Sequence, residues 1–207
     1  MTNARIEDVR KRALKDLQQA DVMLEGHFDY GNGYHGRVYV NPHMLFRYPS
    51  TIWRLAQDLL DIMPFDLTEK VDAVVGPVTG GALLAHTLAG LLDGRRRIDR
   101  QPCLFAPLHF DPEEGLRLRP SYAAQLKGRH VLIADDVRNT GKTLVHCAEL
   151  VRKAGGQVVA TAQIYDRKDV AETLDVPNIA LLEYPASENY PTPRCPLCAE
   201  GIPLTTF

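Results

Sequence analysis

The sequence predicts an α/β fold: a mostly parallel sheet with helices on both faces. Three observations carry that expectation. Short apolar runs alternate with helical patterns through the centre of the chain, the signature of strand–helix–strand units. The runs are apolar throughout rather than alternating, which suits strands covered on both faces. The chain has 207 residues, 45% of them hydrophobic, enough for one substantial core.

The elements follow in order. In 4–20, "ARIEDVRKRALKDLQQA", Ile6, Val9, Ala13 and Leu17 share one stripe, so this is an amphipathic helix. Its basic residues are interleaved with Glu7, Asp8 and Asp16, which makes a solvated face. Residues 26–41 carry aromatics around Gly31-Asn32-Gly33 and read as a hairpin. After Pro49, Ile52, Leu55, Ala56 and Leu59 mark a second helix. "VDAVVG" at 71–76, "PCLFAPL" at 102–108, "HVLIAD" at 130–135, "QVVATAQIY" at 157–165 and "IALLEY" at 179–184 are strands. "GALLAHTLAGLL" at 81–92 and "KTLVHCAELVRKAGG" at 142–156 are helices, the latter with a Gly-Gly stop. The proline-rich end has no period and reads as a cap. The chain is thus one domain over 1–207, with about 1–45 and about 185–207 as hood segments.

Lys and Arg number 24 against 26 Asp and Glu, a formal net charge of −2, which does not suggest a nucleic-acid groove. No apolar run reaches the length of a membrane span. The first residues are charged and lack a signal-peptide core, so a cytoplasmic protein is expected.

Chemistry concentrates at two strand-to-helix turns, where ligands of such sheets bind. In "VLIADDVRNTGKTL", 131–144, an apolar strand ends in Asp135 and Asp136 and a helix opens after Gly141. Arg138, Asn139, Thr140, Gly141, Lys142 and Thr143 can wrap one phosphate with inward N–H groups, hydroxyls and the helix dipole. The Gly-Lys-Thr end matches a Walker A loop, but its first glycine would fall at 136, which is Asp. Two carboxylates there call for a ligand that donates hydrogen bonds. Vicinal ribose hydroxyls fit, as does Mg²⁺ near the pair. The ligand so described is a sugar phosphate.

This stretch resembles the phosphoribosyl diphosphate (PRPP) signature of type I phosphoribosyltransferases: four apolar residues, two acids, a spacer, then Thr-Gly-x-Thr. "GPVTGGALLAH" at 76–86 is similar to the family's pyrophosphate loop. The segments "LEGHFDYGNGYHGRVYV" and "GLRLRPSYAAQLKGRHVLIADD" resemble the orotate branch, as does the "CPLCAEGIPL" tail. The likeness runs over roughly 22–170. It implies displacement of pyrophosphate from PRPP by a nitrogen base, with Mg²⁺ bridging pyrophosphate and ribose oxygens. Asp135 and Asp136 would hold the ribose hydroxyls. Pro77, Val78, Thr79, Gly80 and Gly81 would receive the pyrophosphate, in a loop that often has a cis peptide. A homodimer is also implied.

In the orotate branch a closing loop usually brings lysines and a histidine. The matching segment here, 108–119, has no lysine, so Arg117, Arg119 and His109 stand in, with Arg117 and His109 assigned to catalysis; the alternative sets the arginines outward on an edge strand. The position that usually meets the orotate carboxylate is Val145. Phe28, His35 and Arg37 are candidate base contacts. Orotate is the favoured acceptor, with a purine or other heterocycle as the alternative. A non-catalytic PRPP-binding regulator and a P-loop NTPase are the readings from other classes.

The four cysteines do not read as a disulfide framework. Cys195-Pro-Leu-Cys198 supplies only two of the four ligands of a structural zinc, so it reads as packing or a terminal turn; the alternative is a Zn²⁺ at Cys195 and Cys198, which two chains of a dimer could complete as a four-Cys site. His27, His35 and His43 recur every eight residues, a spacing expected to scatter them.

Overall fold

The structure is a computed structural model. It describes residues 3–19, 22–30, 33–96, 99–168, 172–183 and 189–206, without the side chains of 42 and 43. Gly31 and Asn32 of the expected hairpin turn lie outside the described residues, as does 184–188 of the tail.

The main sheet has six strands: β3 (Ala73–Pro77), β4 (Leu104–Asp111), β5 (Gly115–Leu118), β6 (His130–Arg138), β7 (Gln157–Asp166) and β8 (Asn178–Glu183). Their order is β5-β4-β3-β6-β7-β8, and every pairing is parallel except β4 with β5. Strand alternation sorts the core into two layers. Val74, Leu132 and Ala134 face one side, where they join α1 (Asn3–Gln19), α2 (Pro49–Ile62) and α4 (Gly80–Arg95). Ala73, Val75, Val131 and Ile133 face the other, against α5 (Pro120–Leu126) and α6 (Lys142–Lys153). The short helix α3 (Phe65–Lys70) leads into β3.

The strand order reverses between β3 and β6. From β3 the chain leaves through α4 on one face to β4. From β6 it leaves through α6 on the other face to β7. The two connections diverge, and a crevice opens at their carboxyl ends, the topological switch point of such sheets.

A second, three-stranded sheet forms the hood: β1 (Met23–Asp29), β2 (Tyr34–Val40) and β9 (Asn189–Pro191), in the order β1-β2-β9. It joins the two ends of the described chain. Thr205 also bridges to Phe28, and α7 (Pro196–Ala199) packs alongside. Among the described residues no helix is long and apolar enough to cross a membrane.

The segment 108–119, expected as a closing loop, is mostly an antiparallel hairpin. His109 pairs with Arg117 and Asp111 with Gly115. The reason is local: the Asp111 carboxylate accepts the N–H groups of Glu113 (2.9 Å) and Glu114 (3.0 Å), and Gly115 turns the chain with φ 75°. These bonds hold the Asp111 carboxyl below the usual range.

Candidate functional site

The crevice is floored by two turns that touch. Asp135 and Asp136 lie on β6 just past its pairing with β3, which ends at Ile133, and Asp135 is 7% exposed. Its Oδ1 accepts the Asp136 N–H at 3.0 Å, while Asp136 Oδ1 accepts the Val137 N–H at 2.7 Å. Burial pushes the Asp135 carboxyl well up, and the neighbouring Asp136 charge adds to it. A cation or a set of hydroxyl donors placed against these carboxylates would favour their charged form.

Across the crevice the turn after β3 is shaped to those carboxylates. A Cβ on Gly80 would lie 2.0 Å from Asp136 Oδ2, and one on Gly81 would lie 2.8 Å from Asp135 Oδ1. No side chain fits at either position, so α4 begins against the acids. Val78 and Thr79 are exposed, and the peptide between them is cis. Pro77, in contrast, is a buried strand residue paired with Leu108.

The β6–α6 turn has an equally strict backbone. Gly141 is the N-cap of α6 at φ 87°, and a Cβ there would lie 2.2 Å from the Glu172 carbonyl oxygen. Thr140 accepts the Glu172 N–H through its own carbonyl at 3.0 Å. Asn139, Lys142 and Thr143 are exposed around the helix N-terminus. Strand β6 runs further than expected, through Arg138, whose guanidinium turns inward. It donates to Asp166, which is fully buried, at 3.1 Å. Asp166 also accepts from Asn178 (2.9 Å) and from the Lys168 N–H (2.8 Å). Arg138 thus braces the turn from beneath.

Other candidates are engaged elsewhere. Arg117 lies on the edge strand, with Asp111 at 3.3 Å and Glu114 at 3.2 Å. Arg119 is exposed at the start of α5. Phe28 is buried in the hood against Tyr39, their ring centroids 5.6 Å apart. Arg37 reaches Glu200 of the tail at 3.9 Å. His35 is buried beside His27, Cys195 and Cys198. Val145 is half-buried on α6, beside a small cavity with Thr161 and Leu174.

Sequence reasoning missed Asp166 and Arg167. Arg167 lies 4.7 Å over the Tyr30 ring and donates to Asn189 (2.6 Å) and Asn139 (3.4 Å). It ties the hood to the β6–α6 turn. The available signal was position: Asp166 ends β7 and Arg167 follows it, next to the carboxyl end of β6.

A family model described as "Phosphoribosyl transferase domain" matches residues 51–181. The chain is 30% identical to the orotate phosphoribosyltransferase of Caldanaerobacter subterraneus subsp. tengcongensis, over 94% of this chain and 95% of that protein. It is 33% identical to the orotate phosphoribosyltransferase of Carboxydothermus hydrogenoformans, over 88% of each. Its fold matches the crystal structure of orotate phosphoribosyltransferase from Aeropyrum pernix with a TM-score of 0.65. That likeness covers 82% of this chain and 92% of the other, at 23% identity.

Proposed function

The chain belongs to the phosphoribosyl transferase family and is a phosphoribosyltransferase, and from that premise we propose that it joins PRPP to orotate, yielding orotidine 5'-monophosphate and pyrophosphate. The observation that carries this reading is the carboxylate pair at the switch point, faced by a glycine turn and followed by a glycine-capped helix N-terminus. The three parts of PRPP each find a matching partner. Ribose hydroxyls donate to Asp135 and Asp136. The 5-phosphate lies on the N-terminus of α6, ringed by Asn139, Thr140, Lys142 and Thr143. The pyrophosphate meets the turn of Thr79, Gly80 and Gly81.

The chemistry follows from the electrostatics. As the bond from the anomeric carbon to pyrophosphate breaks, positive charge develops on the ribose ring. The buried Asp135 carboxylate beside the half-buried Asp136 is destabilised by the pair's own negative charge, so it favours that positive charge more than it favours the neutral ground state. The base nitrogen then forms the new bond at the same carbon and gives up its N–H proton to solvent, while pyrophosphate departs with the electron pair of the broken C–O bond. The donor set fits Mg²⁺: carboxylate oxygens beside a site for an anionic substrate. Bound with PRPP near Asp135 and Asp136, the ion would neutralise the leaving pyrophosphate. The same reading expects a homodimer working in the cytoplasm.

Orotate is supported by the named relatives over most of the chain. A purine is kept as a second reading by one residue, the apolar Val145 where a cation would meet the carboxylate. The deciding experiment is pyrophosphate release from PRPP and Mg²⁺ against orotate, uracil, adenine, guanine, hypoxanthine and xanthine. Orotate-dependent release is expected. Release with a purine moves the acceptor. Silence across the panel with PRPP still bound would make the protein a sensor and overturn catalysis.

A further inference from the structure

His27, His35, Cys195 and Cys198 each offer one ligand atom, and all four atoms lie within 4.8 Å of one another. We propose that these residues form a structural Zn²⁺ site that staples the two chain ends into the hood. The sequence expectation that the histidines scatter fails because they lie across a hairpin rather than along one strand. Asp29 pairs with His35, and an irregularity in β1 between Glu25 and Phe28 lets the His27 ring reach across the hairpin, its Nε2 3.1 Å from His35 Nδ1. The two histidines supply, within one chain, the ligands that the Cys195–Cys198 pair lacks.

The geometry is that of a tetrahedral ion. Zn–N of about 2.0 Å and Zn–S of about 2.3 Å give edges of roughly 3.3 Å between nitrogens and roughly 3.5 Å between nitrogen and sulfur. Here His27 Nε2 to His35 Nδ1 is 3.1 Å. The nitrogen–sulfur edges are 3.5 Å (His27 to Cys195), 3.7 Å (His27 to Cys198) and 3.3 Å (His35 to Cys198).

Hydrogen bonding cannot account for this packing. His27 Nδ1 lies 2.8 Å from the Ile202 carbonyl oxygen, which only accepts, so Nδ1 carries the proton. With that proton on Nδ1, Nε2 has at most a single lone pair to offer. Three heteroatoms crowd that lone pair: His35 Nδ1, Cys195 Sγ and Cys198 Sγ. It can accept one hydrogen bond, whereas a metal at their centre takes all four ligands at once. The Ile202 contact is also the kind of outer hydrogen bond that orients a metal-bound imidazole.

The choice of metal follows from the donors. Two thiolates and two imidazoles in a tetrahedron select Zn²⁺ over the oxygen-seeking Mg²⁺. Four protein ligands close the coordination sphere, so the ion has a structural role. The hood needs such a staple. β9 has three residues and α7 has four, too little to hold themselves. The ion would link residues 168 positions apart, His27 and Cys195.

The experiment is metal analysis of the full-length protein by mass spectrometry, after reconstitution with Zn²⁺ and removal of free ion. One Zn²⁺ per chain is expected. Substitution with Co²⁺ is expected to give the d–d absorption of a tetrahedral site and a thiolate charge-transfer band. Cys198→Ser, at an exposed position, and His35→Asn should each weaken Zn²⁺ binding at least tenfold, whereas His86→Asn should not. No bound Zn²⁺ in the folded wild-type chain would overturn the proposal. Half an equivalent per chain that survives His27→Asn and His35→Asn would also overturn it, since two Cys pairs would then share one ion between chains.

Discussion

The crevice and the hood of this molecule draw on the chain in different ways. Asp135, Asp136 and the β6–α6 turn lie within nine consecutive residues, 135–143, on one strand end and one helix start. The four-donor cluster of the hood takes two residues from a hairpin near the beginning and two from a turn near the end, His27 and Cys195 being 168 apart. A contiguous site inherits its geometry from the sheet beneath it. A dispersed one has to be held by its own bonds. The crevice should therefore respond to substitution mainly through chemistry and backbone fit, and the hood through the ties that fasten it.

The largest expected effect is on chemistry. Asp135→Asn together with Asp136→Asn keeps the shape of both side chains and removes both negative charges. Turnover should fall about 1000-fold or more, the scale of losing preorganised charge stabilisation at the reacting carbon. The far-ultraviolet circular dichroism should be unchanged. Near wild-type turnover in the double variant would sink the ribose-clamp reading.

Next comes backbone fit. At Gly141, φ is 87° and an added Cβ would lie 2.2 Å from a backbone carbonyl, that of Glu172. Gly141→Ala must move one turn or the other, at a stability loss of about 1–3 kcal/mol. PRPP should bind at least tenfold more weakly, because the N–H groups that wrap the phosphate would shift together. Calorimetric titration with PRPP and a denaturant melt measure the two effects separately. Unchanged PRPP affinity would place the phosphate elsewhere.

Asp135 alone gives a smaller effect of opposite sign on stability. Its folded carboxyl titrates well above the ordinary value of 3.8, because it is buried beside Asp136. The fold thus holds this proton better than the unfolded chain does. The associated stability is present below the unfolded value and is lost as pH rises through the folded one. Asp135→Asn removes that loss. The variant should be more stable than wild type at pH 7, by about 0.5–2 kcal/mol, the usual gain where function has been bought with strain. The gap should close towards pH 3. A variant less stable than wild type at pH 7 would mean that the carboxylate is satisfied within the fold.

The same division decides what was legible in the sequence. The parallel sheet could be read because each buried strand is a contiguous apolar run, and the acid pair could be placed on a strand end before a helix because β6 and α6 are contiguous in the chain. The 108–119 hairpin was missed because its turn depends on the Asp111 side chain accepting two N–H groups, a bond that apolar periodicity does not report. Arg138 reads as a phosphate ligand by its place in the motif. Its inward turn depends on Asp166, 28 residues away on the next strand. His27 and His35 read as scattered because the spacing was taken along a strand. The register that makes them neighbours is a property of the pairing between β1 and β2.

The smallest effect tests where crevice and hood meet. Arg167 stacks over Tyr30 at 4.7 Å and bonds Asn189 of the hood at 2.6 Å, while its other nitrogen reaches Asn139 of the β6–α6 turn at 3.4 Å. The stack is worth about 0.5–1 kcal/mol at a partly exposed site. Arg167→Ala should therefore lower global stability by no more than about 1 kcal/mol, within the range of single surface contacts. Its mark should be on function: KM for PRPP should rise severalfold while kcat holds. Nothing that touches the anomeric carbon is removed, but the turn that receives the phosphate loses its brace to the hood. Arg167→Lys keeps the charge and loses the planar stack, so it should recover only part of the KM. Equal loss in kcat and kcat/KM would instead assign Arg167 to the transition state, and the hood would then belong to the reacting site rather than merely border it.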